Sequence, residues 1–278
     1  MNKERLQELE NKCKQVRMLT LDSILAPGSG HVGGSFSAVE TLVSLYNGIM
    51  NIDPKNPKME GRDRFILSKG HAGPGLYAVL AERGYFDPEM LKTLNQGNTN
   101  LPSHADMNKT PGVDMTTGSL GQGISCAVGI AYASKLKEDG AKIYCMVGDG
   151  ESQEGQVWEA ALAASNFKLD NFIAFLDYNQ LQLDGSLEDI LDMGNMTKKW
   201  EAFGFETYDI DGHDIEAIFK TVENVKNNLN EKPKMIILHT TKGKGVKSIE
   251  DLGYKNHSMP VTAKLMEEAR KEIMEESV

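Results

Sequence analysis

The amino-acid sequence predicts an α/β fold, a doubly wound parallel sheet with helices on both faces. Three observations carry that expectation. The segments "KIYCMV", "NFIAFLD" and "KMIILHT" are nearly apolar throughout, without the polar alternation of a half-exposed strand. Segments with apolar residues at helical spacing lie between them. Buried strands alternating with helices belong to parallel sheets covered on both sides. With 278 residues, 40% of them hydrophobic, the chain is long enough to bury a sizeable core, and it is expected to form one domain over residues 1–278.

Residues 2–25 predict a helix with Leu6, Leu9, Cys13 and Val16 on one face, stopped by "APGSG". "SAVETLVSLYNGIM" predicts a second helix before the turn-rich "NIDPKNPK", and "RFILS" a short strand. "PGLYAVLAERG" predicts a helix closed by Gly84. Residues 95–119 are rich in Gly, Pro, Asn and Thr and show no period. A loop of that length inside a compact domain is usually functional or disordered. "GQGISCAVGIAYASKLKEDG" predicts a helix ending at Gly140, ahead of "KIYCMV". "QVWEAALAASNF" predicts a helix with Val157, Ala161 and Ala164 on one face and Trp158 beside them. After "NFIAFLD", "ETYDI" is a strand candidate. "DIEAIFKTVENVKNNL" repeats Ile215, Ile218, Val222, Val225 and Leu229 at helical spacing. "TAKLMEEARKEIMEE" predicts a charged amphipathic helix after the last strand.

A formal charge of -10 argues against a nucleic-acid partner, which calls for clustered Lys and Arg. No apolar run approaches the roughly 18 residues of a membrane span, and "MNKERLQELENK" lacks the apolar core of a signal peptide. Cys13, Cys126 and Cys145 are scattered without metal-ligand spacing, and are expected to be reduced core residues of a cytoplasmic protein.

The stretch "IYCMVGDGESQEG" ends a strand in glycines and acids with no basic residue. Such a loop suits a phosphate carried on a metal ion better than a bare phosphate. In open parallel sheets, ligands bind beyond the carboxyl ends of the strands. Asp149 of "GDG" and Asn179 of "DYNQLQLDG" lie thirty residues apart, one strand–helix–strand unit. Their loops should therefore be neighbours. A hard cation such as Mg²⁺ takes oxygen ligands, commonly one or two carboxylates together with substrate phosphates. Asp149 offers a charged oxygen, Asn179 a neutral one, and a nearby backbone carbonyl a third. Gly150 lets a diphosphate approach the main chain at the start of the next helix. Neither G-x-G-x-x-G nor G-x-x-x-x-G-K-[ST] follows these strands, which disfavours a dinucleotide or P-loop site.

"GDG" followed about thirty residues later by Asn resembles thiamine-diphosphate enzymes. "SGHVGG", "DRFILSKGHAG", "TTGSLGQGIS" and "DIDGHD" narrow the resemblance to transketolases, in order and spacing from about residue 5 to residue 262. The resemblance implies a diphosphate-type, thiamine-diphosphate-binding domain, with Mg²⁺ (or Ca²⁺ or Mn²⁺) held by Asp149, Asn179 and the backbone carbonyl of Leu181. It implies diphosphate contacts from His71 and Gly150, and cofactor-ring contacts from Gly118, Leu120 and Leu183. His239 falls where some members carry a lysine near the diphosphate. His31, His104 and His257 match histidines that bind substrate hydroxyls and move protons, work suited to an imidazole near neutral pH. Glu154 matches a glutamate associated with communication between paired active sites. His213 precedes a helix and is read as positioning its start. "TKGKGVK" is either a solvated loop or a flap over the site.

In this family a glutamate from a second, pyrimidine-binding domain activates the cofactor, and a third domain follows. The sequence contains neither. It is expected to be the N-terminal subunit of a split transketolase, its charged tail a finished terminus, although an expressed fragment is the other explanation. The implied partner is a second chain carrying the pyrimidine-binding and C-terminal domains, in an α2β2 heterotetramer acting on sugar phosphates. Rival expectations are a transketolase-like enzyme for a sulfosugar or branched sugar and a non-catalytic cofactor-binding module. A metal-dependent hydrolase is disfavoured by the lack of an H-E-x-x-H motif.

Overall fold

The computed structural model describes residues 1–275. In chain order its elements begin with α1 (Lys3–Leu25), β1 (Ser29–Gly30), α2 (Gly33–Phe36), α3 (Val39–Ser44), β2 (Arg64–Leu67) and α4 (Gly73–Arg83). Next come α5 (Gln122–Lys137), β3 (Ile143–Gly148), α6 (Gly155–Asn166), β4 (Phe172–Tyr178), α7 (Leu187–Leu191) and α8 (Met196–Ala202). The last are β5 (Glu206–Asp211), α9 (Ile215–Lys226), β6 (Lys234–His239), α10 (Lys247–Glu250), β7 (Met259–Pro260) and α11 (Ala263–Glu275).

Five strands form one sheet in the order β2-β3-β4-β6-β5, every neighbouring pair parallel. The three apolar segments that predicted the sheet are its central strands, β3, β4 and β6. Their side chains alternate between two packed layers. Tyr144, Met146, Ile173, Phe175, Ile236 and Leu238 face a core shared with α1, α3, α4, α9 and α11. Ile143, Cys145, Val147, Phe172, Ala174, Leu176, Met235 and Ile237 face a second core built on α5, α6 and α8. Each large apolar side chain so buried stabilises the fold by roughly 1.5–3 kcal/mol. Trp158 packs against Trp200 with ring centroids 4.9 Å apart, joining α6 to α8.

Several local expectations are corrected. The second helix, expected over 37–50, is α-helical only as α3 and then widens into a π-helical turn over Leu45–Ile49, and the short α2 precedes it without having been expected. Helix α5 ends at Lys137, not Gly140, because Glu138 already adopts the left-handed conformation that closes it. Helix α9 ends at Lys226, so Leu229 lies beyond it and is 68% exposed. The asparagines at 227 and 228 interrupt the periodic run. Asp214, not His213, caps the start of α9 by accepting from the Ala217 N–H. Helices α7 and α8 and the small β1–β7 pair carried no sequence expectation. The tail read as a finished terminus falls partly at 276–278, outside the described residues.

No helix among the described residues is long and apolar enough to cross a membrane. Cys13 and Cys145 are buried, Cys126 is half-buried, and none of the three is in a disulfide.

Candidate active site

The carboxyl rim of the sheet holds a cavity of about 280 Å³. Strands β2, β3, β4 and β6 each end there in a loop. Parallel pairing explains the convergence: Gly148 lies beside Asp177, and Tyr178 beside His239, so successive loops leave the sheet at one level.

After β3, Asp149 is buried and turns back on its own loop, accepting from Gly150 N at 2.7 Å. Its other oxygen accepts from Gln180 N at 2.5 Å, which ties the loop after β3 to the loop after β4. Gln180 has a φ of +62°, rare for a residue with a side chain, and this turn sets Asn179 and Leu181 on either side of it. Asn179 Oδ1 accepts from Leu181 N at 3.1 Å and its amide donates to Asp177 at 3.2 Å. Asp149, Asn179 and Leu181 thus line one cavity, as a shared ion requires. Burial, reinforced by the charge of Asp177, pushes the Asp149 carboxyl up to about 7.

Four histidines reach the same cavity from four distant segments. Strands β1 and β7 pair antiparallel, Gly30 opposite Met259, and so carry His31 to within 5.3 Å of His257, ring centre to ring centre. His71 follows β2 in a tight turn, 4.8 Å from His257 and 5.5 Å from His31. His104 comes from the long loop, 6.0 Å from His31. That loop is anchored by buried Leu101 and Ala105 and by Tyr77, whose hydroxyl donates to the Pro102 carbonyl at 2.8 Å. Burial lowers the pKa of His31, takes His71 well below the usual imidazole value, and takes His257, which also faces Lys242, to about 3. These three rings are neutral at pH 7.

Gly118, Leu120, Gly150 and Leu183 also line the cavity, Leu183 being 57% exposed. Two candidates lie elsewhere. His239 is exposed, pairs with Asp209 at 2.6 Å and stands edge-on to Tyr178, away from the cavity lining. It occupies the last position of β6, the one exposed residue of that strand. Glu154 is exposed at the start of α6, next to Gly121.

Lys242, three residues beyond His239, does reach the cavity, and so does Lys69. The Lys242 ammonium lies 3.0 Å from the Leu181 carbonyl, 3.3 Å from the Gln182 carbonyl and 3.2 Å from His257 Nδ1. The same loop was legible only as a basic stretch. Lys69 was also missed. It is buried, donates to the Gly34 carbonyl at 2.7 Å and pairs with Asp177. Burial would raise the Asp177 carboxyl, but Lys69 beside it holds it below its ordinary value. Glu151 is the third. Its carboxylate accepts from Ser68 Oγ at 2.6 Å, Gly121 N at 2.9 Å and Gly148 N at 3.0 Å, binding three loops together. Its place in "GDGESQEG" was visible, but nothing in the spacing set it apart from Glu154.

The donor set suits a hard divalent ion. Among the described residues no three His, Cys, Asp or Glu side chains cluster to hold a metal. A carboxylate, an amide oxygen and a backbone carbonyl remain, all oxygen donors of the kind Mg²⁺ accepts when a phosphate completes its shell. Asn179 Oδ1 and the Leu181 carbonyl each keep a free lone pair beside their present bonds. The buried Gln182 Nε2 donor in the wall has no protein partner, and a bound anion would supply one. The residues present fit a metal-bound diphosphate.

Residues 9–276 match the family described as "Transketolase, thiamine diphosphate binding domain". The chain is 48% identical over 269 residues to the 6-deoxy-6-sulfo-D-fructose transketolase subunit of Clostridium sp. (strain MSTE9), covering 97% of each. It is 44% identical over 254 residues to an apulose-4-phosphate transketolase subunit of Actinobacillus succinogenes, covering 91% of each. Among solved structures it superposes on the transketolase of Pichia stipitis in complex with sedoheptulose-7-phosphate with a TM-score of 0.90 at 30% identity. That alignment covers 96% of this chain but only 40% of the longer one. In motif order, in fold and in overall sequence, the chain belongs to the transketolase family, as its thiamine diphosphate binding domain.

Proposed function

We propose that the chain, as one domain, is the N-terminal subunit of a two-chain transketolase that uses thiamine diphosphate and Mg²⁺ to transfer a two-carbon ketol unit from a ketose phosphate to an aldose phosphate. The observation that carries this is the convergence of Asp149, Asn179 and Leu181 with four histidines on one cavity. Bound thiamine diphosphate would supply a nucleophilic carbon and an electron sink for breaking a carbon–carbon bond.

The chain's own residues divide the remaining work. Asp149, Asn179 and the Leu181 carbonyl hold the ion. Gly150, His71, Gln182 and Lys242 meet the diphosphate, Lys242 taking the part first assigned to His239. Gly118, Leu120 and Leu183 offer an apolar edge to the rings. His31, His104 and His257 bind sugar hydroxyls. Burial lowers both His31 and His257, which leaves each with an unprotonated ring nitrogen able to accept a hydrogen bond from a sugar hydroxyl. Glu154, exposed beside α6, is assigned to contact between paired sites.

The pyrimidine-binding and C-terminal domains would come from a second chain, in an α2β2 assembly with sites between chains, in the cytoplasm. Both relatives described above are named as transketolase subunits and match this chain over nearly their whole length, which supports a two-chain enzyme. Their names also favour a second reading of the substrate. One is named for a sulfosugar and the other for apulose phosphate, so a modified sugar is the alternative to an ordinary ketose phosphate.

The test is ketol transfer by this chain with its partner chain, screened across ordinary, sulfonated and branched ketoses. Transfer with none of them by an assembly that binds the cofactor would refute the activity.

A further inference from the structure

A second polar cluster lies outside the cavity, where α1, α3, β5 and the loop after β6 meet. Arg17 donates from Nη2 to Glu40 Oε1 at 2.6 Å and from Nε to the Lys244 carbonyl at 2.7 Å. Glu40 Oε2 lies 2.9 Å from His213 Nδ1. The Thr241 N–H donates to His213 Nε2 at 2.8 Å. A ring nitrogen that accepts carries no proton, so the imidazole proton sits on Nδ1, facing Glu40. Arg17 and His213 overcome the burial of Glu40 and hold its carboxyl down at about 2. Donors therefore converge on Glu40 from both sides, and each side also holds the backbone of the loop after β6.

What this cluster grips is the segment 241–245. Gly243 N also donates to the Gly33 carbonyl at 3.1 Å, and Asn256 donates to the Lys242 carbonyl at 2.9 Å. Gly245 has a φ of +92°, and a Cβ there would stand 2.6 Å from Arg17 Nε, so the guanidinium lies directly against the backbone. Of this segment, only Lys242 lines the cavity at the rim. A separate cavity of about 360 Å³ is bordered by Arg17, Glu40, His213 and Lys244 and shares no lining residue with the first.

We infer that Arg17, Glu40 and His213 are positioning residues for Lys242: through the backbone of 241–245 they set its ammonium against the diphosphate site without touching any ligand. The inference rests on the proposed function, since it assigns Lys242 to the cofactor's diphosphate. Removing the imidazole leaves the Thr241 N–H and one Glu40 oxygen without partners, and the segment is free to shift. A displaced Lys242 weakens cofactor binding, while the groups that handle the sugar stay in place.

The experiment is calorimetry of Mg²⁺ with thiamine diphosphate on the assembled two-chain enzyme, comparing His213→Phe, His213→Gln, Lys242→Met and the double variant His213→Phe/Lys242→Met. His213→Phe is expected to bind about tenfold more weakly, the worth of one buried hydrogen bond, with kcat at saturating cofactor changed by less than about twofold. The glutamine amide can both donate and accept, so His213→Gln is expected within about threefold of the parent. In the Lys242→Met background, His213→Phe is expected to add less than about twofold, because both changes remove one contact. Should His213→Phe not fold, His213→Gly with added imidazole takes its place, the imidazole entering through the adjoining cavity and restoring affinity. Parental affinity in His213→Phe, losses that multiply in the double variant, or no recovery with imidazole would each overturn the inference. A parent enzyme that fails to bind the cofactor would instead sink the proposed function, and this inference with it.

Discussion

The ammonium of Lys242 lies 3.0 Å from the carbonyl oxygen of Leu181, the oxygen that family resemblance assigns to a divalent ion. A protein cation and a metal ion thus have a claim on one oxygen. Lys242 is buried, and burial brings its pKa down to about 8, while Asp149 nearby favours the charged form. On the proposed reading, a bound diphosphate would offer this buried ammonium a phosphate oxygen as a further partner. Lys242→Met should therefore weaken cofactor binding through the diphosphate, and a titration with inorganic diphosphate and Mg²⁺ on the assembled enzyme would report it. An affinity loss of about tenfold or more is expected for a charge-assisted hydrogen bond.

Asp149→Ala and Asn179→Ala should each abolish metal-dependent cofactor binding, because each removes one oxygen from the proposed three-member protein set. Calorimetry with and without a chelator checks this. Unchanged affinity in either variant would remove that residue from the ligand set.

By itself the chain should show little or no ketol transfer, and adding the partner chain should restore it. The cause is the activating glutamate, which the family places in the pyrimidine-binding domain. A coupled assay on each chain separately and on the mixture decides the matter, and normal turnover by the single chain would contradict the two-chain reading.

Glu40→Gln should destabilise the fold at neutral pH. The Glu40 carboxyl sits at about 2 in the folded chain against an ordinary 4.5, so the folded state binds the proton less tightly than the unfolded one. Its stabilising share is complete above pH 4.5 and is lost as pH falls through 2. The shift corresponds to about 3 kcal/mol at most. Denaturant melts of both proteins across that window should show the gap narrowing with acid.

Gly123→Ala should lower stability by about 1–3 kcal/mol, the usual cost of forcing an extra methyl into a packed contact. A Cβ at Gly123 would stand 2.6 Å from Ser68 Cα, where α5 closes on the end of β2. Ser68 Oγ there accepts from Ile124 N at 3.0 Å and donates to Glu151, so the added methyl would also disturb the loop network. A thermal melt that matches the parent would count against this close approach.

Much of this was legible in the sequence, for physical reasons. Central strands buried on both faces leave unbroken apolar runs, so β3, β4 and β6 were visible. The meeting of Asp149 and Asn179 was visible because strand–helix–strand spacing places them in adjoining loops. The four histidines were found through motifs, since no periodicity marks a loop. What escaped depended on tertiary contact. Lys242 and His239 lie three residues apart, and only the direction in which the chain leaves β6 decides which one reaches the cavity. His213 read as a helix-start residue because its partners, Glu40 and Thr241, are distant in sequence. Leu229 continued the periodic run of α9, and propensity at the two asparagines won over periodicity.

Because the loops that carry Asp149 and Asn179 both spring from the carboxyl rim, their mutual spacing is inherited from the ladder of hydrogen bonds between β3 and β4 beneath them. A single inserted residue in β3 or β4 would lift one loop by about 3.3 Å against its neighbour and reverse every side chain along that strand. The opposite rim carries no such burden. Extra residues between α5 and β3, or between α6 and β4, would lengthen turns far from the chemistry, and a reporter group spliced there should leave the catalytic spacing untouched.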